Sequence, residues 1–339
     1  MTRKRRFGWF LSLAVLLISP LAVSGQQAEL NQIGTSMANF LKIGVGARAS
    51  AMGDAYVALA DDISTLYWNP GGLSTLENNQ MMFQAAQWLV DTQLNFFGFS
   101  YRLGMLGVFG VSVYSFSSGE MLETTIEYPE GKGRTFSASN LAAALTYSRQ
   151  LTDRFFTGIT LKYITEQLDR ETAQTVAIDV GSVFVTNFLN DLRIGFALSN
   201  LGGTLKLDGS GLNEQFLTDL GVMHYARLAT DPWDIPLLFR FGVATDVVRN
   251  NILRITSSTE VMDSRDYYDR IGTGVELAIK EMVFLRGGYK FRYDEVNSTL
   301  GAGLRFTTQS GMGLHIDYAY VDYGIFDITQ KFSIIFMFK

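Results

Sequence analysis

The sequence predicts an all-β fold: a transmembrane antiparallel β-barrel of fourteen strands, preceded by an N-terminal plug. Three observations carry that reading. The chain opens with an export signal, most of its later windows alternate apolar and polar residues, and no window beyond the signal offers ~18 uninterrupted apolar residues. A mean hydropathy of +0.12 is far too low for a helical membrane protein. A membrane-bound chain of this kind spans with strands.

The signal comes first. Arg3, Lys4, Arg5 and Arg6 precede FGWFLSLAVLLISPLAV and the small residues Ser24 and Gly25. That order of basic, apolar and small is a secretory signal peptide, with cleavage expected before Gln26. The expected divisions are therefore a signal over 1–25, a plug over 26–78 and a barrel over 79–339. Once four of the 28 Lys and Arg leave with the signal, 24 positive charges face 33 negative ones, a balance of −9. Nucleic acid, which needs a basic face, is excluded as a partner. The chain has no Cys, so it carries no disulfide and no lipid-bearing cysteine.

From Asn79 onward the period is two, which means strands. In RFFTGITLKYITE, residues 154–166, Ile159, Leu161 and Tyr163 share one face. Gly158, Thr160, Lys162 and Glu166 share the other, with Ile164 as the exception. In RIGTGVELAI, Ile271, Val275, Leu277 and Ile279 oppose Arg270, Gly272, Gly274, Glu276 and Ala278. In VFLRGGYKFR, Val283, Leu285, Tyr289 and Phe291 oppose Arg286, Gly288, Lys290 and Arg292. LGAGLRF and LHIDYAY repeat the pattern, with Arg305, His315 and Asp317 on the polar face.

A soluble sandwich also alternates, with charges outward. Export, a Gly-rich polar face bearing both signs of charge, and aromatics near strand ends point to the inverted arrangement, lipid outside and polar lumen inside. Phe96, Phe97, Tyr101, Tyr114, Phe116, Tyr289, Phe291 and Tyr293 are the expected interfacial girdles. The last strand, FSIIFMFK, places Ile334, Phe336 and Phe338 on one face and is similar to the terminal signal of outer-membrane barrels, except that Lys339 follows the last aromatic. About fifteen windows have barrel-strand length, and bacterial barrels use even counts. Fourteen is the count adopted, with twelve and sixteen as neighbours. Short links at 151–154 and 279–282 read as periplasmic turns, and the polar stretches 117–137 and 202–214 as extracellular loops.

Residues 26–78 do not alternate. FLKIGVGARASAMGDAYVALADD is rich in Gly and Ala, as suits backbone packed in a confined space. Asp62 is expected to cap a helical turn over residues 63–67. Asn69-Pro70-Gly71-Gly72 fits a type II turn, with Gly71 supplying φ > 0. Arg48, Asp61 and Asp62 are then placed to pair with inward wall charges, since an unpaired buried charge costs several kcal/mol.

The stretch GVGARASAMGDAYVALADDISTLYWNPGGLS, residues 44–74, resembles the N-terminal signature of the PorV/PorQ family, within the FadL-like group of outer-membrane barrels. The likeness rests on Gly46, Ala47 and Arg48, on Met52 and Gly53, on Ala60, Asp61 and Asp62, and on Trp68, Asn69, Pro70, Gly71, Gly72 and Leu73. LRGGYKF, STLGAGLRF and HIDYAYVDYG extend it downstream. The resemblance implies a fourteen-stranded barrel with an N-terminal hatch. PorV-type relatives receive exported cargo bearing a C-terminal sorting domain from the type IX translocon and deliver it to an attachment complex. FadL relatives carry hydrophobic small molecules, and their hatch turn reads NPA where this chain has NPG.

Catalytic chemistry finds little support. The only histidines are His224 and His315, and no GxSxG, GxxxxGK[ST] or HExxH pattern occurs. Asp263, Asp266 and Asp269 match no calcium loop. No metal or cofactor is expected. Lys162, Glu166, Arg254, Glu260, Arg270, Glu276, Arg286, Lys290, Arg305, His315 and Asp317 read as lumen charges that knit the wall to itself and to the plug. The function expected is non-enzymatic: an outer-membrane barrel in contact with lipid that binds exported proteins and secretion components through its extracellular loops. The alternative is FadL-like transport of a hydrophobic small molecule, for which Gly104, Gly107, Gly110, Gly287 and Gly288 would permit a kinked, laterally open strand.

Overall fold

A computed structural model describes residues 33–131, 133–217, 223–308 and 311–339. The expected signal, 1–25, and the first plug residues, 26–32, lie outside the described residues. Strands β1 (Asn79–Gln87), β2 (Gln93–Arg102), β3 (Val108–Leu122), β4 (Thr135–Thr152), β5 (Phe155–Leu168), β6 (Glu171–Val185) and β7 (Arg193–Gly202) form the first half of the wall. The second half is β8 (Leu238–Arg249), β9 (Leu253–Ser264), β10 (Tyr267–Ile279), β11 (Val283–Phe291), β12 (Ser298–Thr307), β13 (Gly313–Asp322) and β14 (Ile328–Phe338). Each pairs antiparallel with its sequence neighbour. β1 pairs with β14, Asn79 opposite Phe338, and so the fourteen-stranded barrel closes without an edge.

The wall has the inverted sidedness. Val275 and Leu285 are 43% and 50% exposed, whereas their neighbours Glu276 and Arg286 are 1% and 4% exposed. A lipid-facing apolar band and an enclosed polar face follow directly from that period-two pattern. The closed barrel also separates two mouths by loop length. Six short links, from 103–107 to 308–312, lie at the mouth where the chain enters β1 and leaves β14; the connections 123–134 and 203–237 lie at the other. Short turns face the periplasm and long loops the exterior. Strands β3 to β6, of 14 to 18 residues, exceed the ~9–11 needed to span and project beyond the bilayer at the extracellular mouth.

Residues 33–78 pack inside this wall. Helix α1 (Ala47–Ala51) and helix α2 (Thr65–Trp68) are each about one turn long, with 3-10 turns at Asn39–Lys42 and Pro70–Thr75. Phe40, Tyr67, Trp68 and Tyr114 of β3 make an aromatic cluster, with centroids 5.4 Å apart for Phe40–Tyr114 and 5.0 Å for Tyr67–Trp68.

Several local expectations are corrected. Residues 69–72 form no type II turn. Asn69 caps the 3-10 turn by accepting from Gly71 N at 3.0 Å, and Gly71 does not take positive φ. Its glycine is needed for space instead, since a Cβ there would stand 2.7 Å from Ser182 Cα of β6. Asp62 does cap the turn ahead of α2, its side chain accepting from Ser64 N at 2.9 Å and its carbonyl from Thr65 N at 3.0 Å, but the regular helix begins only at Thr65. Half the expected girdle faces inward: Phe96 and Tyr114 are buried, Phe116 packs on the inner core, and Tyr293 lies against Arg270 and Lys290. Gly104 and Gly107 belong to the β2–β3 turn, not to a strand. Residues 117–122 and 135–137 extend β3 and β4. The second loop runs on from 202–214 through a hairpin, Asn213–Leu217 with Met223–Arg227, to residue 237.

Candidate functional site

The inner segment is held by its signature residues. Gly46, at φ 92°, leads into α1, which presents Arg48 to β10. Met52 is fully buried, and Gly53, at φ 68°, passes so close to the wall that a Cβ would meet Thr273 O at 2.7 Å. Trp68 Nε1 donates to Val45 O at 2.7 Å, folding the two halves of the segment together. Asn69 Nδ2 donates to Val57 O at 2.8 Å and to Ser182 O at 2.9 Å, which ties the Pro70-Gly71-Gly72 turn to β6.

Arg48 is the centre of the charge network. Its Nε and Nη2 donate to the Glu276 carboxylate at 2.8 and 3.0 Å, and its Nη1 reaches Asp61 at 2.5 Å, Asp62 at 3.3 Å and the Tyr56 hydroxyl at 2.9 Å. Burial opposes the charge on Asp61, but the Arg48 and Arg193 guanidiniums outweigh it and hold the carboxyl down at about 2. Around Glu276 the wall adds Arg286 Nε at 2.7 Å and Arg254 Nη1 at 3.1 Å. Arg286 continues to Asp317, which lies 3.1 Å from His315 Nε2; Arg305 approaches His315 Nδ1 at 3.5 Å.

The other predicted lumen charges occupy separate places. Glu260 accepts from Tyr56 N and Val57 N at 2.8 Å each. Lys290 pairs with Asp54, and Arg270 stacks over Tyr267 and Tyr293. Glu166, higher on β5, accepts from Ala38 N at 2.8 Å. Lys162 bonds Asn200 at 2.8 Å and Asp179 at 2.7 Å, filling a bulge between β6 and β7 where Asn200 takes positive φ.

The sequence reading missed Arg240 on β8, Asp179 on β6 and Lys331 on β14, all buried and inward. Arg240 lies 3.4 Å from Glu260 and over the Trp68 ring, and Lys331 donates to Gly44 O at 2.7 Å. Their signal was present: each stands between outward-facing neighbours, apolar for Arg240 (Phe239 and Phe241) and Asp179 (Ile178 and Val180), and Gln330 and Phe332 for Lys331.

A cavity between segment and wall, lined by Asp54, Trp68, Arg240, Glu260, Arg270 and Tyr293, holds about 10 Å³, roughly one water. The periplasmic mouth opens into a polar vestibule of about 740 Å³ that includes Asp61, Arg193, Asp246, Arg254 and Glu281. At the extracellular mouth, Arg134 pairs with Glu123 at 2.6 Å and with Asp169, bracing the first loop. The hairpin of the second leaves Met223 and Tyr225 exposed, the latter by 77%. Among the described residues no cluster of His, Cys, Asp and Glu suits a metal ion.

A family model described as type IX secretion system protein PorV matches residues 25–226. No curated protein matches the chain. Among solved structures, the Ralstonia pickettii toluene transporter TbuX aligns with a TM-score of 0.55 at 12% identity, covering 87% of this chain and 97% of that one. The Pseudomonas putida toluene transporter TodX gives 0.56 at 11%, again over 87% and 97%. The CymD monoaromatic hydrocarbon channel gives 0.57 at 9%, over 87% and 96%. At such identities the likeness is one of fold.

Proposed function

The chain belongs to the PorV family of type IX secretion system proteins, and we propose that it binds exported proteins at the cell surface and hands them on during secretion and attachment. Binding and transfer need no catalytic group. The observation that carries this reading is the contrast between the two ends of the molecule: the lumen is filled and ion-paired, while the extracellular loops present exposed side chains. A barrel whose central cavity holds about one water, and whose inner segment is ion-paired to the wall, acts through its surface. The hairpin strand Met223–Arg227, with Met223 and Tyr225 outward, offers apolar and aromatic contact of the kind that anchors protein interfaces.

Removing the hairpin while keeping the ends of the 203–237 loop tests the reading. The barrel should still migrate as a folded, heat-modifiable species, and exported proteins should no longer co-purify with it from the native outer membrane. Undiminished co-purification, or no exported protein even with the intact chain, would refute it. The shared fold with toluene transporters motivates a second reading, passage of a hydrophobic small molecule. The Lys162–Asp179–Asn200 cluster in the β6–β7 bulge weighs against it, because a lateral opening there would pass apolar cargo across buried charges. Uptake of a monoaromatic hydrocarbon lost on deletion would favour that second reading.

A further inference from the structure

The inner segment has a direction. At its start, Ser36 bonds to Asp266, Met37 N donates to Asp234 O at 3.0 Å, Ala38 N donates to Glu166 at 2.8 Å, and Lys42 pairs with Asp266 at 2.7 Å. Asp234 lies in the long loop 203–237, Asp266 in the β9–β10 turn, and Glu166 near the end of β5: all three belong to the extracellular mouth. At its other end, Asp61 faces Arg193 at 3.5 Å, Ser74 N donates to the Ser148 hydroxyl at 3.2 Å, and Arg102 holds Ser74 O at 3.1 Å. These partners lie at the periplasmic ends of β7, β4 and β2. The segment therefore crosses the whole lumen between residues 36 and 74, folding back on itself on the way where Trp68 meets Val45 and Tyr67 meets Leu41.

We propose that the segment threads the barrel from the outside inward, so that Ile33 is displayed at the cell surface. There it forms part of the same face as the hairpin of loop 203–237. Ile33 is 40% exposed, and a Cβ added at Gly34 would meet no atom within 4 Å. Ser36 makes a parallel bridge to Asp234, joining this stretch to the strand Trp233–Asp234, which in turn pairs with Thr204–Leu205. A recess of about 120 Å³ lies between them, lined by Thr35, Ser36, Asp234, Pro236, Arg265 and Asp266. A partner seated on the loop meets the start of the inner segment as well. The display of Ile33 follows from the topology alone; its share in partner contact rests on the function proposed above.

The absence of native cysteine makes the test direct. Ile33→Cys and, at the periplasmic β4–β5 turn, Asp153→Cys are each exposed to a membrane-impermeant maleimide on intact cells, with heat-modifiability confirming a folded barrel. Ile33→Cys should label fully without permeabilisation, and Asp153→Cys only after it. Protection of Ile33→Cys until the outer membrane is opened overturns the proposal. A polyethylene glycol maleimide on Ile33→Cys should then lower recovery of exported protein as it does on Tyr225→Cys. Loss at Tyr225→Cys alone overturns the shared face, whereas no loss at either position refutes the binding function and leaves the threading intact.

Discussion

Arg48 and Glu276 meet through two parallel hydrogen bonds of 2.8 and 3.0 Å, the bidentate geometry that makes arginine–carboxylate pairs directional. The pair joins the inner segment to β10, and Glu276 also neutralises Arg254 and Arg286. Replacing Glu276 by Gln leaves three guanidiniums clustered without it. Breaking a buried pair costs about 3–5 kcal/mol, so Glu276→Gln should lower the urea midpoint of the folded barrel markedly. Arg48→Met should cost less, because Glu276 keeps two arginines. Gel-shift unfolding in detergent measures both, and equal midpoints for the two variants would contradict the arrangement.

Backbone contact between segment and wall is the second restraint. A Cβ at Gly158 of β5 would stand 2.3 Å from Pro70 O, which cannot move without breaking the turn that Asn69 caps. Gly287 faces outward, and a Cβ there meets only Leu300 Cδ2 at 3.8 Å. Overpacking typically costs 1–3 kcal/mol. Gly158→Ala should therefore destabilise by about that amount, while Gly287→Ala stays near neutral in the same unfolding assay.

A filled lumen has an electrical consequence. The central cavity between segment and wall holds about one water, and Arg48 is fixed to both, so the intact protein should give no steady conductance steps in planar bilayers. The double variant Arg48→Ala and Asn69→Ala removes the main tethers to β10 and β6, and should produce intermittent openings. A stable open channel in the unaltered protein would contradict the packing described here.

The wall was legible because period two admits one register once lipid claims the apolar face. Val275, Glu276, Leu285 and Arg286 are placed by alternation alone. The inner segment was less so. Small residues in the 44–74 stretch signalled close packing, but the turn at Asn69 depends on Ser182 across the lumen, a contact no local pattern encodes. Aromatics misled for a related reason. Phe96 and Tyr114 serve the inner core that an apolar segment brings with it, so their inward parity outweighs their place near strand ends. Arg240 and Lys331 could have been read by the rule that found Lys162, since each stands between outward-facing neighbours.

Asp61 gives the network a pH signature. Its carboxyl is held at about 2, below the ordinary 3.8, so folding favours the ionised form. A group with a depressed folded pKa stabilises fully above its unfolded value, and that stabilisation is lost as pH falls through the folded one. The window is therefore from about 4 down to about 2. A shift of this size corresponds to some kcal/mol, but the Asp61 side chain is 34% exposed to the vestibule, and water screens it to about 1 kcal/mol. Asp61→Asn should be less stable than the parent at neutral pH by about that amount. The gap should close on acidification across the window, because only the parent has a carboxylate left to protonate. Urea midpoints taken at pH 7 and through the acid range read the difference, and curves that remain parallel to the lowest pH would show that Asp61 does not carry the pairing with Arg48.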